Sequence, residues 1–472
     1  MESRMTTAAG TERPDPYRLT PEDIKEPPQG WRGSLRFFGP GLILSAAIVG
    51  SGELIATTAL GAEAGFALFW LVVVSTSVKV AVQVELARWT ISTGQPAITG
   101  FNRVPPKLGR IGWINVLFVL MAVLKVVQTG GVVGAVAAAC SVLAPIGGEP
   151  LGFTSLATWT TIVAATTIAL LYSNRYRLIE RGAVLLVGVF VLVTAAIAIG
   201  LPFTPLGYGA DDVLGGLTFS IPAGALGAAI AMFGLTGVAA EEIIAYTYWC
   251  LEKGYARWTG PADGSDAWVR RARGWIRVMY RDALLSWLIY TLGTLAFFVM
   301  GAAVLHPRGL VLEGNEMIVT LSHMYTGTLG EGANFFYLVG AIAVLASTLW
   351  AALPAWARLN TNALAVLGVL DWSNMTARLR GIRAFTVVLP IVWGGTYLLV
   401  DEPVLMIATG GFVGGLFLLA EVVAVWYLRK HETDPRLHAG GRFHALLIIS
   451  SLALGLVSVY TLLDALGFSI GG

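Results

Sequence analysis

The chain has 472 residues, 56% of them hydrophobic and only 13% charged, with a formal net charge of +2. Its mean hydropathy is +0.72. A soluble domain carries about a quarter charged residues, so a soluble multidomain enzyme is excluded. Cys140 and Cys250 fall in different apolar segments, so a disulfide framework or a cysteine metal cluster is not expected.

Residues 1–35 are polar and Pro-containing and lack the apolar core of a signal peptide, so they read as a cytoplasmic tail. Apolar runs follow at 36–62, 66–89, 112–143, 156–173, 182–201, 217–250, 283–305, 333–355, 384–400, 404–428 and 443–466. Each is near the length that crosses a bilayer core, which predicts an all-α polytopic membrane protein of about eleven transmembrane helices. The loop after the second run carries Arg103, Lys107 and Arg110, and the loop after the fourth carries Arg175, Arg177 and Arg181. The loop after the sixth is the most basic, with Lys253, Arg257, Arg270, Arg271, Arg273, Arg277 and Arg281. Arg358, Arg378, Arg380 and Arg383 follow the eighth, and Arg429, Lys430 and Arg436 the tenth. The alternate loops hold Glu63, Glu149, Asp211, Asp212, Glu313, Glu316, Asp401 and Glu402, with Arg308 their one basic residue. Basic loops stay in the cytoplasm. The expected location is the inner (plasma) membrane, with the N-terminus inside and the C-terminus outside. Trp268–Tyr280 interleaves Trp and Ile with four Arg. It reads as an amphipathic helix on the inner leaflet or as a plain solvated basic loop.

Two runs carry signs of interruption. In the first, Gly39-Pro40-Gly41 opens an apolar stretch that reaches Gly50-Ser51-Gly52-Glu53. Two glycines and a serine weaken a helix, and a carboxylate at that depth is costly in lipid. The sixth run repeats the pattern with Gly234, Gly237, Glu241 and Glu242. Gly-interrupted segments in corresponding halves point to an inverted-repeat transporter with its site at the midplane. A second reading is that Glu53 and Glu241 only cap their second half-helices. Glu241 and Glu242 stand about 100° apart on a helix, so one at most is expected to face a site. Thr57, one turn past Glu53, is either a hydroxyl ligand or packing.

The stretch Gly39-Pro40-Gly41 through Ser51-Gly52-Glu53, with Thr58 to Ala62 and then Gly65, Phe66, Leu68 and Trp70, resembles the Nramp family of divalent-metal transporters. Leu178-Ile179-Glu180 supports the likeness, and Ala346-Ser347-Thr348 with Leu353 to Asn362 adds weaker support. The resemblance implies a leucine-transporter-like fold with inverted 5+5 repeats and broken helices one and six. The first repeat would span 36–201, the second 217–428, and an extra helix 443–466. The family's functional motifs do not match. Its first-break Asp-Pro-Gly-Asn corresponds to Gly50, Ser51, Gly52 and Glu53, so the ligating Asp is replaced by Gly50. Its Met-Pro-His corresponds to Val238-Ala239-Ala240, give or take one residue, with Glu241 next, and its later histidine falls at Ala245. Its helix-three Asp and Glu, tied to the proton route, fall at Gln128 and Gly131. The chain resembles a divergent branch similar to the Nramp-related magnesium transporters, a partial match because the first-helix Asp of that subgroup is also missing at Gly50.

Loss of the thioether removes a preference for soft metals. Carboxylates, hydroxyls and free carbonyls suit Mg²⁺, Mn²⁺ or Ca²⁺, and Mg²⁺ or Mn²⁺ is the expected cargo. The expected site is Gly50, Ser51, Glu53, Thr57, Gly237, Glu241 and Glu242. Lys79, Lys125 and Gln128 are candidates for charge balance or coupling. A lysine in the cavity would instead favour an organic solute such as an amino acid or carboxylate. A non-transporting membrane sensor is the third reading. Neither an enzyme activity nor a resident cofactor nor a nucleic-acid partner is expected; the expected partners are a small solute or metal ion and the lipid bilayer.

Overall fold

The computed structural model describes residues 15–172, 176–222 and 224–466. The first apolar segment is two helices, α1 (Pro40–Ile48) and α2 (Thr58–Ala64), joined by Val49 to Ser51 and a π-helical turn over Gly52–Thr57. Pro40 sits at the start of α1, where its missing N–H costs nothing. The Asp282 carboxylate accepts the N–H groups of Gly39 at 3.0 Å and Gly41 at 2.6 Å, holding that end. Then come α3 (Phe69–Thr93), α4 (Trp113–Leu143), α5 (Phe153–Tyr172) and α6 (Tyr176–Gly200). The sixth segment is also split, into α7 (Leu226–Leu235) and α8 (Ala240–Lys253). The remaining long helices are α9 (Asp266–Met300), α10 (Ala333–Val366), α11 (Met375–Val400), α12 (Pro403–His431) and α13 (Gly441–Ala465).

Among the described residues, ten helices are long and apolar enough to cross a membrane. The expected first span is not separate among them. Its break leaves α1 only nine residues long, and α2 runs on into α3 as one 42-residue stretch from Gly52 to Thr93. Interruption, not a missing segment, accounts for the difference from eleven.

Trp268–Tyr280 is not a separate helix on a leaflet. It forms the first turns of the 35-residue α9. At 1.5 Å per residue that helix is about 52 Å long, well beyond the bilayer core. Trp268, Ala272, Trp275, Ile276 and Met279 are buried against protein, while Arg270, Arg273 and Arg277 are exposed. The amphipathic pattern is real, but its apolar face packs on Phe37, Tyr255 and Trp258 rather than on lipid.

The N-terminal segment explains that packing. Lys25 exchanges backbone bonds with this face: its N–H donates to Trp258 O at 3.0 Å and its carbonyl accepts Trp275 Nε1 at 2.9 Å. Arg378 pairs with Asp15 at 2.5 Å and stacks over Tyr17. Tyr17 in turn donates to Glu252 at 2.7 Å, which also holds Arg358 at 2.5 Å. The described N-terminal residues and the basic helix ends therefore share one side of the bundle. On the same side, Arg88 meets Glu85 at 3.0 Å as the i, i+3 spacing predicts, and Arg429 completes the cluster at 2.5 Å. Leu178–Glu180 and the Arg175–Arg181 loop lie outside the residues whose side chains are described.

Both broken segments pack against unbroken helices. α1 packs on α9 and α10, α7 packs on α12, and α8 packs on α3 and α10. α4 and α12 form the most extensive helix pair.

Candidate functional site

The two breaks lie against each other. In the first, a Cβ on Gly50 would stand 1.6 Å from Thr348 Oγ1, a position only glycine can occupy. The same hydroxyl accepts the freed N–H of Ser51 at 3.2 Å. In the second, Thr236 turns extended and Gly237 takes φ +69°, a left-handed conformation natural to glycine. Gly234 allows α7 to touch α12, since a Cβ there would lie 1.8 Å from Gly411 O.

A cavity of about 70 Å³ runs from the breaks toward Trp249 and Leu359 on the side of the basic helix ends. It has room for a few waters. Its polar wall is Ser51, Gln128, Thr129, Glu241, Glu242 and Thr348, and the rest is apolar. Neither Lys79 nor Lys125 is in that wall.

The expected site residues separate into two groups. Ser51, Gln128, Glu241 and Glu242 reach the cavity. Both adjacent glutamates do so, against the expectation of one at most. Glu53, Thr57 and Gly237 lie behind the wall. Glu53 is fully buried, and its Oε1 accepts from Thr294 Oγ1 at 3.1 Å and from Gly237 N–H at 3.4 Å. Thr57 donates to Gly52 O at 3.2 Å and approaches the Thr236 hydroxyl at 3.5 Å. Gly50 shapes the break without standing in the wall.

Capping also falls elsewhere than expected. Glu242, the third residue of α8, accepts the Ala239 N–H at 2.8 Å, as an acid three residues past a cap does. Glu241 instead meets Lys125 at 2.8 Å through Oε1, and its Oε2 has no hydrogen-bond partner within the chain. Gln128 Oε1 is likewise without a partner. Lys79 is fully buried and does not snorkel. Its ammonium donates to the main-chain oxygens of Thr236, at 2.7 Å, and Phe233.

Several contributors carry only weak signals in sequence. Gly410 and Gly414 on α12 open space for Gln128 and Lys125, whose side-chain atoms a Cβ would meet at 2.1 and 3.1 Å. Thr294, Thr348 and Ser75 are hydroxyl residues of otherwise apolar segments, with nothing local to mark them. Glu421 is fully buried with neither oxygen partnered within the chain. Among the described residues no three His, Cys, Asp or Glu side chains gather as a fixed metal cluster. A cation in this cavity would meet the carboxylates of Glu241 and Glu242 and neutral oxygens.

Comparison with known proteins places this arrangement. The family model described as natural resistance-associated macrophage protein-like matches residues 41–464. An uncharacterized protein of Pasteurella multocida is 22% identical over 359 residues, covering 74% of this chain and 76% of its own length. A crystal structure of the Eremococcus coleocola manganese transporter superposes with a TM-score of 0.64 at 16% identity, covering 96% of this chain and 94% of that one. A nucleobase-cation-symport-1 family transporter superposes with a TM-score of 0.56 at 14% identity, covering 95% and 93%. These structural likenesses establish the fold: a multi-pass, leucine-transporter-like helical membrane architecture.

Proposed function

The chain belongs to the Nramp family, and on that premise we propose that it carries a hard divalent cation, Mg²⁺ or Mn²⁺, across the membrane by alternating access. The observation that carries this reading is the polarity of the cavity wall. Glu241 Oε2 and Gln128 Oε1 are acceptors without donors, Glu242 and Ser51 stand in the same wall, and both lysines are engaged outside it. The wall carries two carboxylates and no cationic side chain, with Lys125 balancing Glu241 from behind it, so it suits a cation better than an anion. Its donors are hard oxygens, which suit Mg²⁺ and Mn²⁺ over soft metals. At about 70 Å³ the space is far below the several hundred cubic ångströms of a typical organic-ligand site.

Proton coupling by the family's helix-three route is not part of the proposal, because Gln128 and Gly131 stand where those acids would be. The membrane potential suffices as a drive: a divalent ion gains about 4–5 kcal/mol per 100 mV. The cavity's position on the side of the basic helix ends corresponds to a cytoplasm-facing state, with the N-terminus inside, as the charge asymmetry requires.

The test is uptake of Mn²⁺ and Mg²⁺ into proteoliposomes under an inside-negative potential, comparing the native protein, Glu242→Gln, Glu241→Gln and empty liposomes. Saturable uptake that both substitutions reduce supports the reading. If folded protein moves neither metal but moves an amino acid or small carboxylate, the apolar part of the wall binds an organic solute and the metal reading fails.

A further inference from the structure

The Lys79 ammonium occupies a place built for a cation. α7 ends at the second break, and its last carbonyls have no partner in the next turn. Phe233 O and Thr236 O converge there, and both accept from the Ser75 hydroxyl, at 3.2 and 3.1 Å. Lys79 Nζ adds itself to the same two oxygens, 2.7 Å from that of Thr236. A helix C-terminus carries a partial negative charge that stabilises a cation. Broken helices of transporters use such ends and unwound carbonyls to coordinate coupling ions. The Phe233 ring covers the ammonium at 5.0 Å. An ammonium donates three hydrogen bonds and accepts none, so it meets carbonyl oxygens much as a bare monovalent ion does.

We propose that Lys79 is a tethered occupant of a monovalent-cation site formed by the Phe233 and Thr236 carbonyls, and that shortening it to alanine opens this site to Na⁺ or K⁺. The lysine brings to the break, tethered from α3, the charge that a diffusible coupling ion would otherwise supply. The native protein is therefore indifferent to alkali cations, while a chain without the ammonium depends on them.

The experiment measures the melting temperature of purified native protein, Lys79→Ala and Lys79→Met in choline chloride, titrated with LiCl, NaCl or KCl. The readout needs no cargo, so its failure is distinct from failure of the transport reading. The native protein is expected to show no saturable response. Lys79→Ala is expected to melt several degrees lower in choline, or to be recovered folded only with an alkali cation present, and to regain stability saturably with one of them. Lys79→Met, which fills the space without charge, is expected to be destabilised without recovery. A native protein stabilised saturably by Na⁺ or K⁺ overturns the proposal. So does a Lys79→Ala chain that none of the three ions stabilises, whether it folds in choline or in no salt.

Discussion

The ammonium of Lys125 on α4 stands 2.8 Å from Oε1 of Glu241 on α8, with side-chain exposures of 1% and 13%. The pair fixes one carboxylate oxygen and leaves the other buried without a hydrogen-bond partner, on a residue that lines the cavity. Breaking a buried pair from one side leaves an uncompensated charge, at a cost of about 3 kcal/mol. Lys125→Met is therefore expected to lower stability by about that amount. Lys125→Met with Glu241→Gln is expected to recover most of the loss. Denaturant unfolding in mild detergent measures it, and a double variant as unstable as Lys125→Met alone would show that the two charges are not coupled.

The glycines at the breaks differ in what they face, which ranks their substitutions. Gly50→Ala collides with the Thr348 hydroxyl, a side chain that can be removed. Gly234→Ala collides with the Gly411 carbonyl, which is main chain. Both are expected to abolish transport. Adding Thr348→Ala is expected to restore part of the Gly50→Ala activity, whereas no side-chain change opposite Gly234 will help. Uptake assays on the four proteins decide it, and equal rescue in neither case would mean that contact with Thr348 does not set the first break.

Glu421 needs neither of its oxygens for a bond within the chain, and a charge without a partner is costly in the membrane interior. Glu421→Gln keeps the shape and removes the charge. Its melting temperature is expected to equal or exceed the native value. A clear fall would assign the ionised carboxylate a structural partner.

The N-terminal segment ties the basic ends together through Asp15–Arg378 and Tyr17–Glu252. Asp15→Asn is expected to cost about 2 kcal/mol, typical of a hydrogen bond to a charged group. Burial, and then the Glu252 carboxylate, hold the Tyr17 phenol well above its ordinary value. A raised phenol contributes fully below its unfolded value near 10 and is lost only as pH rises through the folded one. The stability gap between native protein and Tyr17→Phe is thus expected to stay flat from about pH 6 to 9. A gap that stays flat above about pH 10 as well, instead of narrowing there, would show that the hydroxyl titrates normally and is not held by Glu252.

Hydropathy located the spans closely where helix and bilayer coincide: the run 112–143 became Trp113–Leu143, and 404–428 became Pro403–His431. It fell short where a helix leaves the membrane. α9 begins at Asp266 and α11 at Met375, each well before its apolar run, because polar turns that stand in water still satisfy their own backbone. The breaks were legible because glycine beside an acid is unusual at that depth. The occupants of each position were not. Glu53 and Glu241 carry the same local signature, yet one is sealed behind the wall and the other stands in it, a difference set by Thr294 on α9, Gly237 in the second break and Lys125 on α4. Lys79 was recognisable as an intramembrane charge, but its partners are carbonyls, which have no letter in a sequence.

Glu53 belongs to the first break, and the amide it accepts belongs to the second. The Thr294 hydroxyl on α9 holds the same oxygen from a third direction. To straighten or bend one interruption alone would pull this carboxylate away from a donor in a place where water offers no replacement. The two breaks are therefore tied to one another through a single buried carboxylate, so that a change in the geometry of either has to be met at Glu53.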